Sequence, residues 1–435
     1  MSVGEPTFYC IDMKTFYASV ECAERGLNPF ETDLVVADVT RGKNALCLAI
    51  TPKMKARGIH NRCRLSDIPG NVHYEIAPPR MKLYVDYAAE IYGLYLNYFA
   101  PADIHVYSID EAFIDATKYL KTYRSQPVDL AKLMMNEIAD RLHIPSTAGV
   151  GTNLYLAKIA LDITAKHAKD HIGFLNETLY KEQLWDHQPI TDFWQISSGT
   201  SKRLASRGIY TMRGIAQTPE DLLYGLFGIN AELLIDHANG RESCTMNDIK
   251  SYRTKSSSVS FSQILPRDYT FDEARIVMTE MVINGARELL KRRVITRKVW
   301  VGISYSRDIL PSDDGACRLL RATALVSELK PAALTAFDAA ARRDIPIRRL
   351  AIAFLDVCDE ECEGYDLFSD LAAIEKERTA EHTMLDITER FGKNALLRGV
   401  NLKSGATQRE RNEMIGGHRA GYDDPCTESK TVSAI

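Results

Sequence analysis

Apolar residues along this chain come first as short continuous runs and then as helical stripes. Residues 7–11 (Thr-Phe-Tyr-Cys-Ile) form an apolar run that stops on Asp12, the pattern of a buried strand. Phe16, Val20 and Ala23 then share one face of a helix spanning 15–24. Residues 34–38 and 44–50 read as two further strands, the second broken at Pro52, and 53–57 as a short helix closed by Gly58. A long stripe of Tyr and Leu predicts a helix over 81–98; two strands follow at 105–109 and 112–115, then a helix over 128–142. A strand over 147–151 runs into a helix over 154–164. Strands interleaved with helices in this way predict an α/β (α+β) region that ends near residue 170.

Beyond it the pattern changes twice. Residues 171–245 read as helical, with Trp185 and Trp194, and 246 to about 260 turn polar around Ser251, Ser256, Ser257 and Ser258, as a linker does. Alternation returns over 259–356, with a helix at 271–290 and a strand at 299–305. An acidic loop, a helix over 371–390 and a flexible, Gly-rich end complete the chain, and no internal repeat is visible.

A length of 435 residues calls for several domains, and 45% hydrophobic residues supply a core for each. No run of about 18 apolar residues exists, and the first residues carry neither a basic nor an apolar leader pattern, so no membrane partner is expected. Nine cysteines stand singly with no CxxC pair, which argues against a zinc ribbon or a disulfide framework and for a reducing, cytoplasmic location. The net charge of −4 hides an asymmetry: residues 251–356 hold 18 Lys/Arg against 12 Asp/Glu, whereas 357–435 hold 10 against 16. A basic module ahead of an acidic tail points to a polyanionic partner, since a local patch sets such binding.

The chemistry is concentrated in carboxylates. Asp12 follows the first strand, and Asp110 and Glu111 stand together about a hundred residues later. Clustered carboxylates hold Mg²⁺ through hard oxygens and leave room for water and phosphates. Neighbouring residues of a regular strand face opposite ways, so a bend is expected beside the pair if both acids are to serve one site. The segments around them, Asp12-Met13-Lys14-Thr15-Phe16-Tyr17-Ala18-Ser19-Val20-Glu21 and Ser108-Ile109-Asp110-Glu111-Ala112-Phe113-Ile114-Asp115, resemble the two signature motifs of Y-family translesion DNA polymerases. Lys53 to Ile59, and Leu156-Ala157-Lys158-Ile159-Ala160 after Gly149-Val150-Gly151, are similar to further segments of that family, with details closest to its UmuC-like bacterial branch.

The resemblance implies a right-handed polymerase: palm at 1–30 and 75–172, fingers at 31–74, helical helix-hairpin-helix thumb at 173–245, linker at 246–258, little finger at 259–356 and tail at 357–435. It implies template-directed addition of dNTPs to a primer on template DNA by a monomeric catalytic chain. Asp12, Asp110, Glu111 and the Met13 carbonyl would hold two Mg²⁺ ions, with Mn²⁺ as an alternative. Tyr17 stands at the steric-gate position, beside Phe16, where it would reject a 2′-hydroxyl. Lys55 and Lys166 are the triphosphate candidates. Lys166 falls one residue later than the family's lysine when counted from Lys158, so either the helix end is shifted or His167 or Lys169 serves. Pro52 replaces a tyrosine found in some relatives, with Thr51 as its substitute.

Residues 193–215 resemble the thumb hairpin, although Gln195-Ile196-Ser197 stands where Gly-x-Gly is usual, leaving phosphate binding and a purely structural role open. Lys291, Arg292, Arg293, Arg297, Lys298, Arg342 and Arg343, with Arg348 and Arg349, are the candidate DNA contacts of the basic module. Gly364-Tyr365-Asp366-Leu367-Phe368 resembles a sliding-clamp peptide, with Leu367 and Phe368 as its apolar anchors. Two rivals compete with this reading: a nucleotidyl cyclase-like enzyme, which needs no basic module, and a catalytically silent DNA-binding or clamp-associated protein, which needs no acid cluster.

Overall fold

The structure, a computed structural model, describes residues 5–253, 258–306, 311–365, 367 and 369–421. Two compact units emerge, one holding the described residues up to Tyr252 together with 418–421, the other Arg253–Gly417.

In the first unit the strands are β1 (Phe8–Met13), β2 (Leu34–Ala37), β3 (Cys47–Ile50), β4 (Glu75–Ala77), β5 (Ile104–Val106), β6 (Glu111–Asp115), β7 (Ser146–Gly151) and β8 (Ile172–Leu175). The helices up to residue 160 are α1 (Phe16–Glu24), α2 (Pro52–Ala56), α3 (Met81–Leu96), α4 (Tyr119–Tyr123), α5 (Pro127–Leu142) and α6 (Leu154–Ile159). The main sheet runs β5-β6-β1-β7-β8, so β1 takes the centre. Its alternate residues serve two cores. Tyr9, Ile11 and Met13 pack with residues of α1, α3 and α5, whereas Cys10 joins Leu154 and Ala157 of α6. A smaller sheet, β3-β2-β4, buries Val35, Ile50 and Met54 in its own core.

Helix α6 lies backbone against backbone on the sheet. A Cβ at Gly149 would stand 2.0 Å from the Ala157 carbonyl oxygen, and one at Gly151 would stand 2.2 Å from the Ala157 nitrogen. Glycine is what lets the two backbones approach this closely. The helix expected over 154–164 is not uniform: after α6 the chain widens into a π-helix at Ala160–Thr164, then takes one more α-turn at Ala165–His167. A third glycine, Gly173, lies beneath this segment, its Cβ position 2.4 Å from the Ala160 carbonyl.

Five helices between Glu177 and Ala238 follow, closed around Tyr180, Phe193, Leu204 and Leu223. The polar stretch expected as a linker is in part a helix, Met246–Ser251, started by a reciprocal Thr245–Asp248 cap. Met246 is buried with Cys10 and Phe113, so this half of the stretch belongs to the first unit; 254–257 lie outside the described residues.

The second unit contains β9 (Ser258–Tyr269), β10 (Val294–Tyr305), β11 (Asp313–Thr323), β12 (Ile347–Leu355) and the short β13 (Cys358–Asp359). Its antiparallel sheet runs β11-β10-β12-β9, with β13 paired to the start of β10. Strand period decides its faces. Val299, Val301 and Ile303 turn into a core shared with helices Phe271–Arg292 and Val326–Ala340; Lys298, Trp300, Gly302 and Ser304 turn the other way.

Described residues of the expected acidic tail pack onto the second unit. Helix Leu371–Phe391 lays Glu381 against Arg287, and the segment after it wraps Glu280 of helix Phe271–Arg292. Glu280 is 1% exposed and accepts hydrogen bonds from the Asn401 side-chain amide and the backbone N–H groups of Thr407 and Gln408, at 2.8, 2.8 and 3.1 Å. A buried carboxylate needs this many donors to offset its lost hydration.

Candidate active site

The end of the central sheet assembles the acids. Asp12 and Glu111 are direct partners across the β1–β6 ladder, which places them on one face. The expected bend is present: residues 108–110 leave the strand, β6 starts only at Glu111, and the Met13 N–H donates to the Asp110 carbonyl at 2.9 Å. The Ser108 hydroxyl donates to Asp110 Oδ1 at 2.6 Å and fixes that carboxylate. Burial and then the charges of Asp110 and Glu111 push Asp12 up to about 7 from 3.8, with Lys158 opposing. Mutual repulsion of this kind shows that the three carboxylates share one small space.

Lys158 reaches under the cluster from α6. Its Nζ donates to Glu111 Oε2 at 2.8 Å and to Asp162 Oδ1 at 3.3 Å, while Cys10 Sγ donates to Glu111 Oε1 at 3.1 Å. Burial, then Glu111, drive the Cys10 thiol upward, so it remains a neutral donor. Among the described residues no three His, Cys, Asp or Glu side chains stand in metal-holding geometry. The donor set still suits a hard divalent cation: three half-buried carboxylates, one of them, Asp12, raised by burial and by its two acidic neighbours. Met13 itself is a core side chain; only its backbone faces this end.

Tyr17 is half-buried, and burial and the Asp110 carboxylate raise its phenol above the ordinary value, opposed by Arg62. It therefore stands beside the acids. Phe16, expected with it at the nucleotide, is corrected to a core residue at 2% exposure; its ring touches Tyr17 at 5.8 Å and can act only through it. Lys55 is drawn below its usual value by partial desolvation, with Asp12 raising and Lys166 lowering it, which puts the two expected lysines near one another and near Asp12. The one-residue offset of Lys166 coincides with the π-helix, a turn that absorbs an extra residue. Sequence reasoning passed over Lys14, whose ammonium is lowered by burial and by Lys55. Its position two residues beyond Asp12 was the available signal. Thr51 cannot stand in for the missing tyrosine: it is fully buried and its hydroxyl donates to the Thr32 carbonyl at 2.7 Å.

The degenerate hairpin forms a turn despite lacking glycine, because Gln195 itself adopts φ 70°. Ser197 caps helix Ser198–Ala205 and Thr211 caps helix Met212–Gln217.

In the second unit, the expected cations divide by surroundings. Lys291 pairs with Glu389 at 2.9 Å, Arg292 with Glu288 at 2.7 Å and Arg342 with Asp313 at 2.8 Å, while Arg343 lies 4.3 Å above the Phe271 ring. Such exposed pairs are each worth about 1 kcal/mol or less, so a phosphate can displace them. Arg293 is the exposed left-handed cap of its helix, and Arg297 is exposed near the start of β10. Lys298 alone of the seven stands on the helix-free face of the sheet, and the ladders add Arg318 opposite it on β11 and Arg349 on β12. Alternation within β11 was the signal for Arg318. Leu367 is fully exposed; Phe368 lies outside the described residues. Among the described residues no helix is long and apolar enough to cross a membrane.

Two family models match the chain: the impB/mucB/samB family over residues 11–162 and its C-terminal domain over 256–367. The chain is 30% identical to the putative UV-damage repair protein UvrX of Bacillus subtilis over 94% of its own length and 97% of that protein's. It is 29% identical to DNA polymerase IV 2 of the same organism, covering 95% of this chain and 99% of that one. Among solved structures, the Y-family DNA polymerase chimera Dbh-Dpo4(243-245)-Dbh superimposes with a TM-score of 0.63 at 20% identity, over 81% of this chain and 99% of that chain.

Proposed function

Because the chain belongs to the impB/mucB/samB family of Y-family DNA polymerases, we propose that nucleotide addition runs on the cluster of Asp12, Asp110 and Glu111. The chain is a template-directed DNA polymerase of the lesion-bypass type, joining deoxynucleotides to a primer 3′-hydroxyl and releasing pyrophosphate. One observation carries the site assignment: Asp12 stands directly opposite Glu111 across the β1–β6 ladder, with Asp110 beside Glu111 at the bend, and burial with the two neighbouring charges pushes the Asp12 carboxyl up to about 7. The same crowding weighs against a silent DNA-binding protein, and the basic module at 251–356 weighs against a cyclase.

Asp12, Asp110, Glu111 and the Met13 carbonyl would hold Mg²⁺, with Mn²⁺ as an alternative. When bound, such ions acidify the attacking hydroxyl and neutralise charge on the triphosphate. The remaining work falls to this chain's own groups. Lys158 donates to Glu111 and holds its carboxylate in place. Lys55, Lys166 and Lys14 supply positive charge for the triphosphate, and Tyr17 bounds the sugar and meets a 2′-hydroxyl with its ring. Lys298, Arg318 and Arg349 take template-primer phosphates on the open sheet face, joined by Arg293, Arg297, Arg342, Arg343, Lys291 and Arg292 around it. The Leu367-Phe368 pair is the proposed contact to a sliding clamp, and the cytoplasm the proposed location.

Primer extension tests the site. Asp12→Ala and Glu111→Ala should each lower extension at least about a hundredfold while duplex affinity is unchanged. Undiminished extension in both variants removes the acid cluster from catalysis.

A further inference from the structure

The Tyr17 ring does not stand alone against the sugar. The Tyr84 ring of α3 stacks on it, centroids 4.6 Å apart and planes 21° from parallel. Tyr84 has no exposure to solvent, so its ring is fixed by packing on every side. Its hydroxyl is fixed as well, donating at 2.6 Å to Oε1 of Glu21. Glu21 lies one helical turn beyond Tyr17 on α1, has no exposure to solvent, and is gripped by Arg80 through bonds of 3.0 and 2.7 Å and by Arg25. Burial alone would raise its carboxyl, but Arg80, Tyr84 and Arg25 hold it below the ordinary value and therefore ionised.

The result is a closed loop of contacts between two helices. α1 carries both Tyr17 and Glu21 on one face, and α3 answers with Tyr84 and Arg80. Pushing the Tyr17 ring back on this side means moving a buried ring tied to a buried ion pair. An exposed aromatic with no such backing could yield to a 2′-hydroxyl by rotating.

We propose that Tyr84, anchored through Glu21 to Arg80, is the positioning residue that makes Tyr17 a rigid sugar gate, so that ribonucleotide exclusion depends on the second tyrosine as well as the first. The inference rests on Tyr17 being the gate. It assigns a function to the glutamate that closes the first motif: Glu21 does no chemistry but fixes the back wall.

The test is the ratio of kcat/KM for a dNTP to that for the matching rNTP, measured on the full chain with primer-template. A ratio is indifferent to the fraction of enzyme that is folded. Tyr84→Leu removes the stack, and Tyr84→Met does so with an adaptable side chain that limits the cavity should the leucine variant fail to fold. Losing a stacked aromatic partner should lower the ratio by about three- to tenfold in either variant. Tyr84→Phe keeps the stack but loses the bond to Glu21, so its ratio should fall below the wild type and stay above that of Tyr84→Leu; a wild-type ratio in Tyr84→Phe would remove the anchoring through Glu21. Tyr17→Ala is measured in parallel. If it collapses the ratio while Tyr84→Leu and Tyr84→Met leave it at the wild-type value, the backing role is overturned and the gate stands. If Tyr17→Ala leaves the ratio unchanged, the gate assignment itself fails and the backing role fails with it.

Discussion

Replacing Asp12 with asparagine should make the metal-free protein more stable at the pH where it works, while ending synthesis. Burial, Asp110 and Glu111 raise the Asp12 carboxyl from 3.8 to about 7. A shift of about 3 units at 1.36 kcal/mol each puts a ceiling of about 4 kcal/mol on the strain. The sign follows from where the proton sits. Below pH 3.8 the acid is protonated in both states and contributes nothing. As pH rises toward 7 the unfolded chain releases the proton and the folded chain keeps it, so the native state loses about 1.4 kcal/mol per pH unit. Above 7 the loss is complete. Asparagine never ionises and escapes this slope. Hydrogen exchange of the β1 amides in EDTA, corrected for intrinsic rates, reports the stability of this unit directly. Between pH 5 and pH 8 the wild type should lose about 2–3 kcal/mol relative to Asp12→Asn. Adding Mg²⁺ should close that gap for the wild type only, because the cation replaces the proton. A difference between the two proteins that does not vary with pH would falsify the crowding of the three acids.

Two further outcomes test the second unit. Glu280→Ala strands the Thr407 and Gln408 N–H groups and should destabilise this unit by about 2–4 kcal/mol, with protease cleavage appearing between 392 and 413. Survival of that segment intact would mean that its apolar contacts suffice. Lys298→Ala and Arg318→Ala should each weaken duplex binding at every sequence tested and lower the slope of log affinity against log salt by about 1; an unchanged slope would take the open sheet face away from the DNA.

The parts of the protein legible in its sequence are those where one residue sets its own environment. The run at 7–11 reads as a buried strand that delivers Asp12, and the structure sets that strand at the sheet centre with Asp12 opposite Glu111. The Asp110-Glu111 pair required a bend, and one is found at 108–110. What could not be read were consequences of distant backbone contacts. The late Lys166 is accommodated by a π-turn lying over Gly173, a partner that no local pattern announces. The stretch at 246–251 looked like a linker because its polar residues dominate, yet Met246 and Ile249 pin it to the core of Cys10 and Phe113. Acidic composition suggested a loose tail, whereas Glu381 faces Arg287 and Glu389 faces Lys291, both on helix Phe271–Arg292. The count of cations in 251–356 was right, but only the strand ladders distinguish Lys298 and Arg318, side by side on the open face, from Lys291 and Arg342, engaged with carboxylates.

Glu280 sits 127 positions ahead of Thr407, its capping partner. On the ribosome its carboxylate must remain hydrated until the segment around Thr407 has left the exit tunnel. The second unit therefore completes itself only after the segment around Thr407 has emerged, and a nascent chain cut short after β13 emerges with a wet, unlatched helix. Such a fragment is open to proteolysis before it can compete for damaged templates.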